Sequence, residues 1–369
     1  MRRAFLLLVL VALTGIVAAQ DGGWQIRFGP RFWGGYLGTR YLLEEPQIEG
    51  VESSVTGALS AAYEFVGYQR TATGRLLTID PTVDDAITNY ARFDLLWQLG
   101  VQQGFLPRQD VAEDRAVAFA LYRGRYRLPF PESDDRVEDA GLPRVDPLLQ
   151  GSIVSGIAYS TRNQSLLTRV IEGVTGELSL EWGPAFMHND ILGSSDYSRL
   201  SLRGSGFLPL VELPPENGMN RFAVYGAAFV GLDWATGPVI PFSIRSTLGG
   251  RTPRSAPGGS IRGYGSGRFD AAFKGLANLE LRASLPSIGL PLIIPGVVLF
   301  TDAGYYVDTE KLSPLDDENS GLLLSSGVGL SIDFFATAQF VFYTAYTWTE
   351  TNVRGEQWVP FALGFGFHF

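Results

Sequence analysis

Residues 359–369, Val-Pro-Phe-Ala-Leu-Gly-Phe-Gly-Phe-His-Phe, are apolar at every odd position and small or polar at every even position from Ala362 onward. Side chains of a strand alternate between two faces, so this stretch has one wholly apolar face. Such a face needs a packed core or lipid against it. Phe365, Phe367 and Phe369 carry the run to the last residue, and a terminal aromatic of this kind is what outer-membrane β-barrels have. Within the same strand Pro360 removes a backbone donor, and Gly364 and Gly366 weaken pairing. The two glycines serve equally well as small inward residues that relieve crowding.

The other end of the chain agrees. Arg2 and Arg3 precede an apolar run from Ala4 to Leu13 that resumes at Ile16, with small residues at Val17 and Ala19. This is the pattern of a secretory signal over residues 1–20, cut near Ala19 or Gln20. Residues 21–369 then read as one exported domain. Losing two arginines takes the formal charge from −9 to −11. No later stretch offers the roughly eighteen uninterrupted apolar residues of a transmembrane helix; the nearest, 288–300, is split by Pro291 and Pro295. The chain has no cysteine, which excludes a disulfide scaffold, a thiolate metal site and an acylated N-terminal cysteine. Its acidic balance argues against a nucleic-acid partner, because phosphate binding needs a basic surface.

From about residue 170 the alternation is sustained. Leu178, Leu180 and Trp182 oppose Glu177, Ser179 and Glu181; Leu200, Leu202, Leu208 and Leu210 oppose Arg199, Ser201, Arg203 and Ser205; Leu279, Leu281 and Ala283 oppose Asn278, Glu280, Arg282 and Ser284. Charge sits on one face only. A soluble sandwich would show the same pattern, but the signal, the strand length and a strand-and-turn repeat reaching the last residue favour a membrane. The expected fold is all-β, an antiparallel transmembrane barrel with its apolar face toward lipid and its polar face lining a wet lumen. Further strands are predicted at 24–42, 54–70, 88–105, 114–128, 151–162, 220–234, 239–249, 296–307, 321–334 and 338–349. With the three above and the terminal strand the count is about fourteen, an even number, and a short hairpin missed in 24–50 or 71–88 would make it sixteen. Residues 129–139 read as a loop. The tryptophans fall mostly near predicted strand ends, where an interfacial girdle would place them.

Residues 251–269 are rich in glycine, proline and serine and carry Arg251, Arg254, Arg262 and Arg268, with no acid before Asp270. Read alone, they make an exposed basic loop. Gly263, Gly265 and Gly267 form a GxGxG run, but no strand-to-helix context surrounds it, so a nucleotide site is discounted.

Four ordered elements say more. Thr-Leu-Gly-Gly at 247–250, Ile-Arg-Gly-Tyr at 261–264, Asn-Leu-Glu-Leu-Arg at 278–282 and Phe-Thr-Asp-Ala-Gly at 300–304 together resemble the BamA/TamA superfamily of outer-membrane barrels, also called bacterial surface antigens. The resemblance is fullest over 175–369. It implies that Gly249 and Gly250 close a strand, and that a long loop before the last five strands folds into the lumen with Ile261, Arg262, Gly263 and Tyr264 at its tip. It also implies that the next two strands present Glu280, Arg282, Asp302 and Gly304 to that tip. The residues suit these roles. Glu280 and Asp302 both fall on polar faces, and the planar fork of Arg262 can satisfy both where a lysine could not. Gly263 allows a close approach to the wall and Tyr264 packs there. In a partly hydrated lumen such a pair need contribute only about 0–1 kcal/mol, so its expected role is to fix one loop position. Plugging and stiffening the barrel is a compatible, blander role.

Relatives of this kind usually carry periplasmic POTRA domains, each a βααββ unit. Here the first predicted strand begins near Trp24, leaving no room for one, so a partner chain bearing such a domain is one expectation and action alone is another. The resemblance implies protein insertion or translocation at the bacterial outer membrane through an incompletely zipped seam, here 24–33 against 358–369. Unfolded outer-membrane or secreted proteins would be the clients and outer-membrane lipids the surroundings. The alternative is a passive pore or structural protein that kept the fold and lost the machine. Enzymatic activity is not expected. His188 and His368 are the only histidines, and neither has the base, carboxylate or metal-ligand company that catalysis requires. No cofactor or metal is expected.

Overall fold

The computed structural model of the chain describes residues 16–18, 24–31, 34–43, 51–68, 88–106, 115–130, 147–164, 170–187, 189–216, 219–255, 260–264, 271–288, 293–307, 320–334, 338–349 and 357–365. Its main element is a sixteen-stranded sheet, two members of which are the short pieces Ile16–Ala18 and Asn163–Gln164. The others follow chain order as β1 Trp24–Arg31, β2 Gly34–Leu42, β3 Ser53–Tyr68, β4 Thr88–Leu106, β5 Ala116–Phe130, β6 Leu148–Ser160 and β7 Ile171–Gly183. Then come β8 Asp196–Leu213, β9 Phe222–Val239, β10 Phe273–Ser284, β11 Ile293–Val307, β12 Ser320–Phe334, β13 Ala338–Thr347 and β14 Trp358–Phe365. Each of these pairs antiparallel with its neighbours in sequence. The fold is therefore the all-β antiparallel wall that the alternation implied.

The two faces of that wall differ as a barrel requires. Leu178, Leu180, Trp182, Leu200, Leu202, Leu208, Leu279, Leu281 and Leu299 are exposed, while Ser179, Glu181, Arg199, Asp233, Lys274, Asn278 and Asp302 are buried. Apolar side chains outside and charged ones inside reverse the order of a soluble protein and suit lipid around a polar lumen. The segment between β9 and β10 shows that the sheet wraps round. It receives a hydrogen bond from Arg123 on β5 at one point and donates to Asp302 on β11 and Leu324 on β12 at others. Among the described residues no helix is long and apolar enough to cross a membrane.

The strand count hides two errors that cancel. Residues 24–42 form a hairpin, with Arg31 paired to Gly34; the residues between them, Phe32 and Trp33, lack the Asn, Asp or Gly that signals a two-residue turn. Residues 239–249 form no wall strand. The wall strand ends at Val239, Pro241 accepts the amides of Ile244 and Arg245 at 2.8 and 3.1 Å, and a single helical turn, α1 (Phe242–Arg245), follows. A proline cannot continue a ladder but suits the start of a helix. Apolar alternation suggested a strand here because Ile240 and Ile244 pack on Tyr197 and Ala235 of the inner wall.

The last strand departs from strict alternation. Tyr343 pairs with Ala362 but Ala345 pairs with Val359, so two residues of β14, Pro360 and Phe361, face the single Thr344. This β-bulge explains how a proline is tolerated and it switches the faces. Trp358 and Phe361 are exposed, while Val359 points inward toward the loop tip. The expectation that all odd positions share one face fails at Val359 for this reason. Gly364 and Phe365 pair with Val341 and Phe340; Gly366, Phe367 and Phe369 lie outside the described residues. Among the described residues no backbone pairing joins β1 to β14, and the outer edge of β1 is instead paired with Ile16–Ala18.

Candidate functional site: a loop anchored in the lumen

The tip of the loop between β9 and β10 is built on β10 and β11, whose register sets Asn278 directly opposite Asp302 and Glu280 opposite Phe300. Arg262 enters between them. Its backbone amide and Nε donate to Asp302 Oδ2 at 2.9 and 2.8 Å, and Nη2 donates to Asp302 Oδ1 at 2.6 Å. Its Nη1 lies 2.6 Å from Glu280 Oε1, an ion contact not aligned as a hydrogen bond, and Arg282 Nε donates to the other oxygen of Glu280. The guanidinium also sits 3.7 Å from the centre of the Phe300 ring. Burial disfavours its charge, but the hydrogen bonds and charge of Asp302, and then Glu280, outweigh that and raise its pKa above the ordinary value. The side chains of Arg262, Glu280 and Asp302 are 6, 1 and 0 % exposed. The pair is thus buried, where the sequence reading placed it in a hydrated lumen with little energy at stake. Pairs of this kind are costly to break.

The rest of the tip fits closely. Asn278 Nδ2 donates to the Ser260 carbonyl at 2.8 Å. Ile261 is fully buried over Gly304, where an added Cβ would come within 1.9 Å of its Cδ1. Gly263 has φ +97, a left-handed conformation, and a Cβ there would meet Thr347 Cγ2 at 2.8 Å, with Ala345 and Val359 next. Tyr264 is buried and its hydroxyl donates to the Leu324 carbonyl at 3.0 Å. The tip residues therefore touch β10 to β12, and Gly263 lies against β13 and β14 with no room for a Cβ.

The base of the loop is held by a second cluster. Glu181 and Arg199 are direct cross-strand partners on β7 and β8, Ser201 opposes Asp233 on β9, and Asp233 opposes Lys274 on β10. Glu181 takes hydrogen bonds from Arg199, from Arg123 at 3.1 Å, from Ser152 at 2.7 Å and from the Tyr197 hydroxyl at 2.9 Å. Lys274 Nζ lies 3.2 Å from Asp233. These cations then reach the loop backbone. Arg123 donates to the Gly250 and Arg251 carbonyls at 2.6 and 3.0 Å, and Lys274 to those of Ile244 and Ala271 at 3.0 and 2.9 Å. Arg203 donates to Thr252 at 2.7 Å and Arg199 to Thr247 Oγ1 at 3.1 Å. In return the amides of Gly249 and Arg251 donate to Asp233 and Glu177 at 2.9 and 2.6 Å.

Gly249 and Gly250 consequently do not close a wall strand. They follow Thr247–Leu248, which pairs with Arg254–Ser255 as a small hairpin inside the lumen. Arg262, Glu280, Asp302 and Gly304 are brought together, and Arg282 reaches the site through Glu280. Arg123, Glu181, Arg199, Asp233 and Lys274 were not singled out from sequence. Their only signal was a charged residue on the polar face of each strand, and register alone aligns them. His188 and His368 lie outside the described residues, and among the described residues no group of three or more His, Cys, Asp or Glu side chains is placed to hold a metal.

Comparison with known proteins places this arrangement. Curated proteins give no match. Among solved structures, the chain is similar to the crystal structure of BamA from Haemophilus ducreyi lacking POTRA domains 1-3, at 13% identity and a TM-score of 0.50. The match covers 93% of this chain and 64% of that one, so the chain spans less than two thirds of the BamA chain and shares its fold. A family model, the Omp85 superfamily domain, matches residues 61–369, from β3 to the last residue and including both loop anchors. The chain belongs to the Omp85 superfamily and has the fold of an outer-membrane β-barrel.

Proposed function

We propose that this barrel inserts or translocates other proteins at the bacterial outer membrane by offering the edge of β14 to a client strand, with the loop tip setting where β14 lies. The observation that carries the reading is the position of Gly263 against β13 and β14, where a Cβ would meet Thr347, Ala345 and Val359 at 2.8, 3.4 and 3.9 Å. One residue away, Arg262 is fastened to β10 and β11. On this reading the tip relates the last strand to a fixed part of the wall. A strand edge with unpaired amides and carbonyls is a template for another strand, and the bulge at Pro360 and Phe361 weakens the pairing of β14 with β13. Clients on this reading are unfolded outer-membrane or secreted proteins, and a separate periplasmic or POTRA-bearing chain is a candidate partner. No enzymatic step, metal or cofactor enters.

The alternative is a passive pore or structural protein, and a cavity of about 570 Å³ left beside the loop favours it. The test is a folding assay. Purified protein in liposomes is mixed with an unrelated urea-unfolded outer-membrane barrel, and insertion is compared for the parent, Arg262→Ala and empty liposomes. Acceleration by the parent that Arg262→Ala loses is the expected result. Rates equal to those of empty liposomes would sink the insertase reading for the chain acting alone.

A further inference from the structure

The connection between β7 and β8 turns outward, unlike the loop that enters the lumen. Gly151 of β6 shares the lipid-facing side of its strand with the exposed Ile153 and Ile157, two and six residues along. A Cβ on Gly151 would come within 2.9 Å of the Met187 carbonyl oxygen and 3.0 Å of the Tyr122 hydroxyl, so the connection runs directly over this outer surface. On β7, Trp182 is exposed on the same side as Leu178 and Leu180, and the Phe186 ring stands edge-on to it, with ring centres 5.5 Å apart and an interplanar angle of 73°. Two strands thus place the connection on the outside of the wall.

Its hold on the wall is polar and buried. Among the described residues the ladder between β6 and β7 ends at Ile153 and Trp182, so the next edge groups of β6 need another partner. Asn189, fully buried, supplies it. The Gly151 amide donates to Asn189 Oδ1 at 2.5 Å, and Asn189 Nδ2 donates to the Gly151 and Pro184 carbonyls at 3.0 and 2.8 Å. A carboxamide carries an acceptor beside a donor, as a peptide group does, and can therefore stand in for a strand. Two residues along, the Leu149 amide donates to the Leu192 carbonyl at 3.0 Å. What this hold presents outward is apolar. Phe186 is 72 % exposed, the most of any large apolar side chain among the described residues, and Ile191 is 64 % exposed. Residues 184–195 contain no lysine or arginine and one acid, Asp190.

We propose that this connection is an interfacial membrane anchor, in which Phe186 and Ile191 enter the boundary between lipid headgroups and acyl chains and Asn189 holds them there. Continuity decides the occupant. Phe186 extends the lipid-facing surface through Trp182, an aromatic at a strand end, where such rings meet the membrane–water interface. Two large apolar side chains beside that surface gain by leaving water, and the boundary region accepts them. With no cation in the segment the contact is with the apolar part of the lipid, so it does not depend on headgroup charge. The anchor lies on β6 to β8, in the middle of the sheet order and away from β1 and β14, and is independent of whether the barrel inserts clients.

The chain has no cysteine, so single labels can be placed at will. Phe186→Cys and Ile191→Cys, each spin-labelled in phosphatidylcholine liposomes, are compared for accessibility to oxygen, which concentrates in lipid, and to a water-soluble nickel chelate. Leu180→Cys on the outer wall and Glu216→Cys in an exposed turn give the lipid and water limits. Both anchor labels should favour oxygen, with ratios nearer to Leu180 than to Glu216, and anionic phosphatidylglycerol mixed into the liposomes should leave those ratios unchanged. Adding Asn189→Ala should shift both toward the Glu216 value. Water-like ratios at both labels, or exclusion of both reagents as in a contact with a second copy, would overturn the anchor, and a dependence on lipid charge would overturn its apolar mode. Unchanged ratios in folded Asn189→Ala would overturn the holding role; if heat-modifiable gel mobility shows that variant unfolded, the labels in the otherwise unaltered chain decide.

Discussion

At its tip the lumen loop supplies the cation, Arg262, and the wall supplies the carboxylates Glu280 and Asp302. At its base the wall supplies the cations Arg123, Arg199, Arg203 and Lys274, and the loop offers mainly backbone carbonyls. The tip is therefore read by side chain and tolerates little change, because one planar fork must meet two carboxylates. The base is read by backbone and constrains the path of the chain more than its sequence. The two anchors also face different parts of the wall. The base fastens the loop to β5 and β7 to β10, whereas the tip is bonded to β10 to β12 and lies against β13 and the last strand. Holding the loop in the lumen and positioning the last strand are thus separable tasks.

Breaking the base should have the largest effect. Glu181→Ala leaves Arg123 and Arg199, 4 and 1 % exposed, without their shared carboxylate. Removing one partner of a buried pair costs about 3–5 kcal/mol, and two cations depend on this one. Denaturant unfolding of the barrel in micelles should show a loss at the top of that range. Asp302→Ala comes next, at about 3 kcal/mol, because Arg262 keeps Glu280. Adding Arg262→Ala to it should recover part of the loss, since no unpaired cation then remains at the site and Glu280 retains Arg282. An additive double variant would contradict a buried pair.

Gly263→Ala sharpens the comparison from the backbone side. A side chain at φ +97 is strained and its Cβ would press on Thr347, so about 1–3 kcal/mol should be lost. The base should be indifferent, and client insertion should fall. Tyr264→Phe removes the hydroxyl's hydrogen bonds, to the Leu324 carbonyl and with Thr349 Oγ1, and should lower stability by only about 0.5–1.5 kcal/mol for each. A larger loss would mean that the ring's hydroxyl does more than fasten the tip to β12.

The difference between the anchors also explains what could be read from sequence. The tip was legible because its contacts run between side chains in short fixed motifs, so Arg262, Glu280, Asp302 and Gly304 could be named together. The base was not legible. Arg123 lies 127 residues from the carbonyl that it binds, and a carbonyl has no signature in the sequence. Period-two alternation gave the wall and its two faces from β7 onward, yet the same alternation at 239–249 came from packing inside the lumen and not from a wall strand. The hairpin at 24–42 is legible only as a possibility within 24–50, because Phe32 and Trp33 carry no turn chemistry. The bulge at Pro360 had a visible cause, but its effect, turning Val359 inward to meet Gly263, depends on pairing that only three dimensions set.

Amide hydrogen exchange, followed separately in peptides covering 242–255 and 260–264, tests the two-anchor account most directly. In the parent both segments should be protected. Arg262→Ala should release the tip, including the amide that donates to Asp302, and leave the base as slow as in the parent. If the tip stays protected without Arg262, or if tip and base are released together, the loop does not have two separable anchors and the account is wrong.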